Sequence, residues 1–264
     1  MNRLGIKRGF RRWSESFILG SNHPLARNLQ GRFPRLFRFF SLRFDPHHFR
    51  GLPLTLFLIG AVINAFILSE LAEEVREVSR LRDLDRLLAQ YFFDLRSDAW
   101  ADRIYHFTRL GSSPTVLTLL GLLSLFLLVK KRMNAFIAIL SALTTSAMTA
   151  FAGKLYYKYP RPVDQAWYEE FSWSYPSGHA TVAMAYYGTL FYLLVMHSEN
   201  YKWKGIVASV GIIFILAMGF SRVYLGVHYL SDVISGYCIG FVWLLFSITL
   251  LGWLDFRNEI RRQN

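Results

Sequence analysis

The sequence has almost no cysteine, and this scarcity excludes two kinds of site. Cys238 is the single cysteine among 264 residues and lies inside a long apolar run, so no intrachain disulfide is possible. A metal site built from thiolates is not expected for the same reason. His47 and His48 beside Asp45 lack a second acid or a cysteine as a further ligand, so we expect no metal ion there either.

Acidic residues are also scarce. The chain has 18 Asp and Glu against 30 Lys and Arg, a formal charge of +12. Such a charge can indicate nucleic-acid binding, but here the basic residues are mixed with Phe, Leu and Trp, as at 11–13 and 35–40. This mixture favours anionic lipid headgroups. We therefore expect a bilayer with anionic lipids as partner, no nucleic acid, and one or two interfacial amphipathic helices within 1–50.

Apolar residues are abundant, at 53% of the chain, and they are gathered into six long uncharged runs. Each run has 17 to 22 residues, and at about 1.5 Å per helical residue most can cross a hydrocarbon core about 30 Å thick. The sequence predicts an all-α, polytopic membrane protein with six transmembrane helices. Because the first run starts only at residue 52, we expect no cleavable signal peptide. The runs are 52–69, 111–129, 133–153, 180–196, 205–221 and 233–254.

Basic residues are concentrated on one predicted side of the membrane. The segments 1–50, 130–132, 198–204 and 255–264 carry 19 of the 30 basic residues and only 5 of the 18 acids. By the positive-inside rule, both termini of this multi-pass protein lie in the cytoplasm. The loops at 70–110, 154–179 and 222–232 then lie on the outer, periplasmic side of the cytoplasmic (inner) membrane.

These features predict three regions. A basic cytoplasmic juxtamembrane segment covers 1–50, a six-span domain covers 51–254, and a cytoplasmic tail covers 255–264. The oligomeric state is left open.

Within the six-span domain, the outer segment 71–110 has apolar residues at helical spacing. Leucine and aromatic residues recur every three or four positions, which predicts an amphipathic helix lying on the membrane with its Asp and Arg on a solvated face. An alternative to a purely solvated face is that this segment shapes a lipid entrance, through Asp85, Arg96 or Arg109. The recurring residues are Leu81, Leu84, Leu87, Leu88, Tyr91 and Phe92.

Three polar clusters follow the apolar runs on the predicted outer side. In the last, a helix beginning after Gly226 would place His228 and Asp232 on one face, because they are four residues apart. The carboxylate would then accept the Nδ1 proton and leave Nε2 as a base or nucleophile. Arg222 is expected to end the preceding helix and to grip two oxygens of a phosphate.

The two earlier clusters add further anion-binding groups. Lys154 and Arg161 supply cations, and the prolines on either side of Arg161 hold its backbone extended. Ser177 and Gly178 open the fourth run, where free N–H groups and a hydroxyl can face an anion. His179 on that first turn is a candidate general acid.

Together the clusters resemble a known family. Lys-x6-Arg-Pro at 154–162, Pro-Ser-Gly-His at 176–179 and Ser-Arg-x5-His-x3-Asp at 221–232 are similar to the three signature motifs of the type 2 phosphatidic acid phosphatase (PAP2) family. The six-span layout extends the resemblance over about 52–254. The departures are Tyr175, where Phe is frequent, and Leu230, where Pro is frequent.

The resemblance implies a metal-independent lipid phosphatase that works without a cofactor. His228 would attack phosphorus to form a phosphohistidine, Asp232 would orient that imidazole, and His179 would protonate the leaving group. The equatorial oxygens would be neutralised by five residues. These five are Lys154, Arg161, Ser177, Gly178 and Arg222.

The expected substrates are undecaprenyl diphosphate, as first choice, then phosphatidylglycerol phosphate or phosphatidic acid. One alternative is a phosphotransferase that moves phosphate to a lipid A headgroup. A vanadate-dependent haloperoxidase shares a similar anion site, but six spans argue against that soluble class. A non-catalytic lipid transporter would be marked by a lost motif His or Arg, and none is lost.

Overall fold

The computed structural model describes residues 52–76, 80–162 and 164–263, and helix is the regular structure in all of these ranges. The all-α prediction is therefore confirmed for the described part of the chain. The predicted interfacial helices within 1–50, and the Asp45, His47 and His48 group, lie outside the described residues.

Eight helices are described, and they range from 11 residues in α3 to 34 in α8. In chain order they are α1 Leu52–Arg76, α2 Arg80–Leu95, α3 Asp98–Thr108, α4 Ser113–Val129, α5 Met133–Tyr157, α6 Gly178–His197, α7 Tyr201–Tyr224 and α8 Leu230–Gln263. A 3₁₀ turn at Arg109–Gly111 joins α3 to α4, and α6 contains one π-helical turn at Ala183–Tyr187.

Four of these helices are long and apolar enough to cross a membrane, namely α5, α6, α7 and α8. The pair α3 and α4 passes the same test as one unit bent by 47°, which makes up to five candidate spans among the described residues. The bend was not expected from the sequence, which placed the start of this span at 111. In α1 the apolar stretch is shorter, Leu58–Glu70, so a sixth span at 52–69 stays a prediction.

The described residues between Ala61 and Asp255 belong to one compact unit. All the residues discussed below lie in this unit.

Small residues let α5 pack closely against its neighbours. Ala138, Ala142, Ser146 and Ala150 lie four residues apart on one face and are all buried. The small-residue pattern predicted for this span therefore marks a packing face. Close approach also occurs at Gly219 of α7, where an added Cβ would lie only 2.1 Å from the Tyr237 hydroxyl of α8.

The outer segment differs from its predicted form in one respect. Its leucine repeat does form a helix, α2, in which Leu84, Leu87 and Tyr91 are exposed. Asp85, however, is buried rather than on a solvated face: its carboxylate accepts hydrogen bonds from the Ser231 N–H at 3.1 Å and the Ser231 hydroxyl at 2.5 Å. The reason is that the first N–H groups of α8 need acceptors, and Asp85 supplies one.

Two helix ends near the polar clusters also differ from the predictions. α5 runs on past 153 to Tyr157, so Lys154 lies in its last turn, and Lys158 ends the helix in the left-handed conformation with φ 47°. α8 begins at Leu230 rather than just after Gly226, so His228 precedes the helix. α7 does end two residues after Arg222, as expected.

Polar contacts also connect the opposite ends of these helices. Arg132, before α5, donates to the His197 ring at 2.7 Å, and Asn134 donates to Asp255 at 2.7 Å. The start of α5 is thus connected to the end of α6 and to α8, away from the clusters that contain His179 and His228.

The turn between α7 and α8 requires glycine at position 226. Gly226 has φ +68°, and an added Cβ would lie 2.1 Å from the Gln165 carbonyl oxygen. We predict that Gly226→Ala lowers the melting temperature of the detergent-purified protein by about 3–8 °C, because the left-handed conformation costs about 1–2 kcal/mol with a Cβ and the backbone clash adds to it. Gly121→Ala in α4, where an added Cβ meets nothing within 4 Å, is the matched control and should not lower it. An unchanged melting temperature for Gly226→Ala would contradict this account.

Candidate active site

The centre of the site is an imidazole supported by a buried carboxylate. His228 Nδ1 lies 3.2 Å from Asp232 Oδ2, and both side chains are almost completely buried. The same Oδ2 accepts the Tyr229 N–H at 3.0 Å and the Ser174 hydroxyl at 2.5 Å. The predicted pairing of His228 with Asp232 therefore exists, although only Asp232 lies on α8.

The contacts on the two ring nitrogens select one tautomer of His228. Arg161 Nη1 lies 3.2 Å from Nε2 and can only donate, so Nε2 must be the acceptor. Nδ1 then carries the proton and donates it to Asp232. This arrangement leaves the lone pair of Nε2 on the side of the arginines, as a nucleophile requires.

Burial keeps His228 uncharged. Loss of solvent lowers the pKa of this imidazole well below its usual range, and the positive charges of Arg161, Arg222 and Lys154 lower it further, as does His179. The ring is therefore neutral near pH 7, with Nε2 unprotonated.

Arg161 is held by the loop that joins α5 to α6. Its Nε donates to the Ser172 carbonyl at 2.7 Å, its Nη1 donates to the Val227 carbonyl, and its Nη2 donates to the Ser172 hydroxyl at 3.0 Å. Because these contacts use all three guanidinium nitrogens, the group is oriented before any ligand arrives.

Arg222 is the most deeply buried cation of the site, with a fully inaccessible side chain. Its Nη1 donates to the Tyr168 hydroxyl and, at 3.2 Å, to the Thr108 hydroxyl. Its carbon Cζ lies 5.6 Å from the centre of the Tyr168 ring. The bend between α3 and α4 and the 158–177 loop thus both support this guanidinium.

Glu170 joins the two arginines. Its Oε1 accepts from Arg222 Nη2 at 2.6 Å and its Oε2 from Arg161 Nη2 at 3.2 Å. Partial burial would raise the pKa of this carboxyl, but Arg222 and Arg161 outweigh it and hold the pKa below its usual value. The paired guanidinium groups therefore already bind two anionic oxygens, both supplied by the chain itself.

The remaining predicted residues surround this centre. Lys154 donates to the backbone carbonyls of Trp173 and, at 3.3 Å, of Ser174, so it holds the loop as well as adding charge. Ser177 caps α6 by accepting the Ala180 N–H at 3.5 Å, and its own N–H donates to the Asp232 carbonyl at 3.0 Å. Gly178 and His179 occupy the first turn of α6.

The sequence reasoning missed several residues that the fold brings to the site. Glu170 and Tyr168 lie between recognisable clusters, where nothing in the chain marks them. Ser174 is adjacent to the Tyr-Pro-Ser-Gly-His stretch, and this position is the one signal that could have identified it. Asp85 was considered only for a lipid entrance, whereas it contacts Ser231, next to Asp232.

Metal ligands do not cluster in the part of the chain that the structure describes. No three His, Cys, Asp or Glu side chains are grouped there so as to hold an ion. The groups that the structure does bring together are fixed cations around an imidazole, which can bind a tetrahedral anion and attack it.

Comparison with known proteins agrees with this geometry. The chain is 28% identical over 192 residues to phosphatidylglycerophosphatase B of Bacillus subtilis, covering 71% of this chain and 89% of that protein. It is 36% identical over 96 residues to an undecaprenyl-diphosphatase of Sulfolobus acidocaldarius, covering 36% of this chain and 38% of that protein.

Comparison with solved structures supports the fold. The crystal structure of a transmembrane PAP2-type phosphatidylglycerolphosphate phosphatase from Bacillus subtilis superposes with a TM-score of 0.68. The match covers 77% of this chain and 98% of that one, at 23% identity. The chain therefore shares the fold of that structure.

A family model matches the part of the chain that contains the motifs. The model described as the PAP2 superfamily matches residues 134–255, a range that contains all eight residues predicted from the motifs and also Glu170 and Ser174. The resemblance seen in the motifs is thus confirmed, and residues 134–255 are a PAP2 domain.

Proposed function

We propose that this protein hydrolyses the terminal phosphate of a membrane lipid phosphate or diphosphate through a phosphohistidine at His228. The observation that carries the proposal is the unprotonated Nε2 of His228 next to Arg161. Arg161 and Arg222 together bind the carboxylate of Glu170. A phosphoryl group has the same need for paired N–H donors as that carboxylate. The activities named for two relatives support a lipid phosphate or diphosphate as substrate.

The first step forms a bond from Nε2 to phosphorus and breaks the bond from phosphorus to the leaving oxygen. The leaving alkoxide or phosphate takes a proton from His179. Asp232 holds the Nδ1 proton and stabilises the charge that the ring acquires when Nε2 becomes bonded to phosphorus. Charge on the equatorial oxygens is stabilised by Lys154, Arg161 and Arg222, with Ser177 and Gly178 at the start of α6.

The second step breaks the Nε2–P bond. Water attacks phosphorus and transfers a proton to His179, which thereby regains the proton lost in the first step. Phosphate leaves, and His228 returns to its neutral state.

The placement in the membrane is part of the proposal. Lys130, Lys131 and Arg132 lie in the turn away from the site, which under the positive-inside rule favours cytoplasmic termini and an outer, periplasmic active site. A prenyl diphosphate such as undecaprenyl diphosphate is our first choice of substrate on that side, followed by phosphatidylglycerol phosphate and phosphatidic acid. Free phosphate released without an acceptor lipid distinguishes hydrolysis from transfer to a lipid A headgroup.

Replacing either histidine tests the proposed roles. We expect His228→Ala to lower phosphate release by at least about 10³-fold, because the attacking atom is lost. His179→Ala should instead accumulate a ³²P-labelled phosphoenzyme from substrates with good leaving groups, since its second step lacks a base. A labelled phosphoenzyme in His228→Ala would overturn the assignment.

Fixed cations predict an enzyme that needs no divalent metal. We expect purified protein to retain its phosphate release in excess EDTA, because Lys154, Arg161 and Arg222 neutralise the phosphoryl charge. Orthovanadate, which takes a five-coordinate form similar to the transition state, should inhibit it. Loss of activity in EDTA that returns only with added Mg²⁺ or Mn²⁺ would contradict the mechanism.

The carboxylate of Glu170 competes with a phosphate for the same arginines. Its lowered pKa keeps it charged across the physiological range, so a rise in pH above neutrality does not change this competition. We predict that Glu170→Gln, which removes the negative charge, tightens orthovanadate binding by about tenfold, or about 1.4 kcal/mol.

The neighbouring Glu169 provides the control for this prediction. Its side chain is exposed, so Glu169→Gln makes the same chemical change outside the site and should leave vanadate inhibition as in the wild type. Inhibition constants for the three proteins at one ionic strength give the comparison. Weaker vanadate binding in Glu170→Gln would mean that the carboxylate organises the arginines and does not compete.

A further inference from the structure

A cleft of about 810 Å³ opens between α2 and the loop that carries Arg161. One wall consists of α2 residues, with Arg82 and Arg86 one turn apart. The opposite wall contains Tyr159, Arg161 and Tyr229. None of the eight residues predicted from the motifs, other than Arg161, lines this cleft.

The wall that contains Tyr159 and Tyr229 lies next to His228, the proposed nucleophile. The guanidinium of Arg82 lies 5.5 Å from the centre of the Tyr159 ring, and that ring lies 5.9 Å from the Tyr229 ring. Tyr229 is the residue after His228, and its N–H donates to Asp232. Arg161 belongs to both places, since it lines the cleft and contacts His228 Nε2. The cleft therefore adjoins the candidate active site through Arg161.

The charges that face the cleft favour an anion. Three arginines line it, at positions 82, 86 and 161, against one carboxylate, Asp83. The other acid in this part of α2, Asp85, is buried and engaged with Ser231, so it does not offset the arginines. Arg86 is exposed and stands within electrostatic reach of the Tyr229 hydroxyl.

The rim of the cleft is built by specific contacts. Gln165 donates to the Gln90 side chain at 3.0 Å, and Arg96 donates to the Gln165 carbonyl at 2.7 Å. These bonds connect α2 and the segment after it to the loop, which positions the arginine wall opposite Arg161.

We infer that this cleft is a second phosphate subsite, which binds a phosphate group of the lipid headgroup that is not hydrolysed. The inference rests on the proposed function, because it assumes that the terminal phosphate meets His228. It narrows the proposed substrates to lipids with two phosphates, either joined directly as a diphosphate or separated by a headgroup. Arg82 and Arg86 then determine specificity, and they act by binding rather than by chemistry.

Paired substrates test this inference. The first pair is farnesyl diphosphate and farnesyl phosphate, and the second is phosphatidylglycerol phosphate and phosphatidic acid, all in the same detergent at fixed ionic strength. We expect Arg86→Gln to lower kcat/KM for the two-phosphate member of at least one pair by about tenfold or more. The single-phosphate member of that pair should change by no more than about twofold. The pair that responds identifies the spacing of the two phosphates.

A matched control separates a subsite from general attraction. Arg103 of α3 is also an exposed arginine, stacked on Trp100 outside the cleft, so Arg103→Gln removes the same charge elsewhere. It should leave all four kcat/KM values near those of the wild type. Equal losses for both members of each pair in Arg86→Gln, or no loss for any substrate, would overturn the inference.

A binding measurement keeps this inference separate from the proposed function. Methylenediphosphonate, whose phosphorus atoms are joined by an uncleavable carbon, is compared with inorganic phosphate by calorimetry on the purified wild-type protein and on Arg82→Gln and Arg86→Gln. Tighter binding of the diphosphonate in the wild type, reduced in both variants, supports the subsite even if no lipid is hydrolysed. If methylenediphosphonate and inorganic phosphate bind with equal affinity in each of the three proteins, a subsite for directly joined phosphates is excluded. The pair of phosphatidylglycerol phosphate and phosphatidic acid then decides whether a subsite exists for separated phosphates.

Discussion

The structure depends on burying two guanidinium groups at one end of a helical bundle. A buried cation is costly unless it is paired and its N–H groups are hydrogen-bonded. Arg222, fully buried at the end of α7, meets this requirement at its two terminal nitrogens with Glu170, Tyr168 and Thr108, whereas its Nε has no hydrogen-bond partner. Arg161 meets it with backbone carbonyls and the same Glu170. The 158–177 loop therefore folds around the arginines, and the anion-binding centre exists before a ligand arrives.

The helices that carry the chemistry are aligned by contacts at their ends. The Ser177 N–H at the start of α6 donates to the Asp232 carbonyl on α8, and Ser231 donates to Asp85 on α2. Ser174 in the loop donates to the Asp232 carboxylate. These bonds hold the starts of α6 and α8 together, so His179 and His228 are presented from neighbouring elements. An active site on well-packed helix ends retains its geometry better than one on loops alone.

Charge also organises the surroundings of the site. The carboxylate of Glu170 pairs with both central arginines, while the arginines of α2 line an open cleft that Arg161 also lines. A substrate with two phosphates would meet both groups of cations. Under the proposed function, selection between headgroups would depend on the arginines of α2, because the central arginines would contact the terminal phosphate of every substrate in the same way.

The sequence by itself determined the helical class, most of the long apolar helices, the three motifs and the pairing of His228 with Asp232. These features depend on composition, periodicity and short spacings, which are local properties of the chain. Only the tertiary structure decided that Glu170 bridges the arginines, that Ser174 contacts Asp232 across 58 positions, and that Asp85 is buried against Ser231 across 146. It also decided that α3 and α4 form a bent pair. Contacts at such separations depend on how the helices pack, and no local pattern encodes that packing.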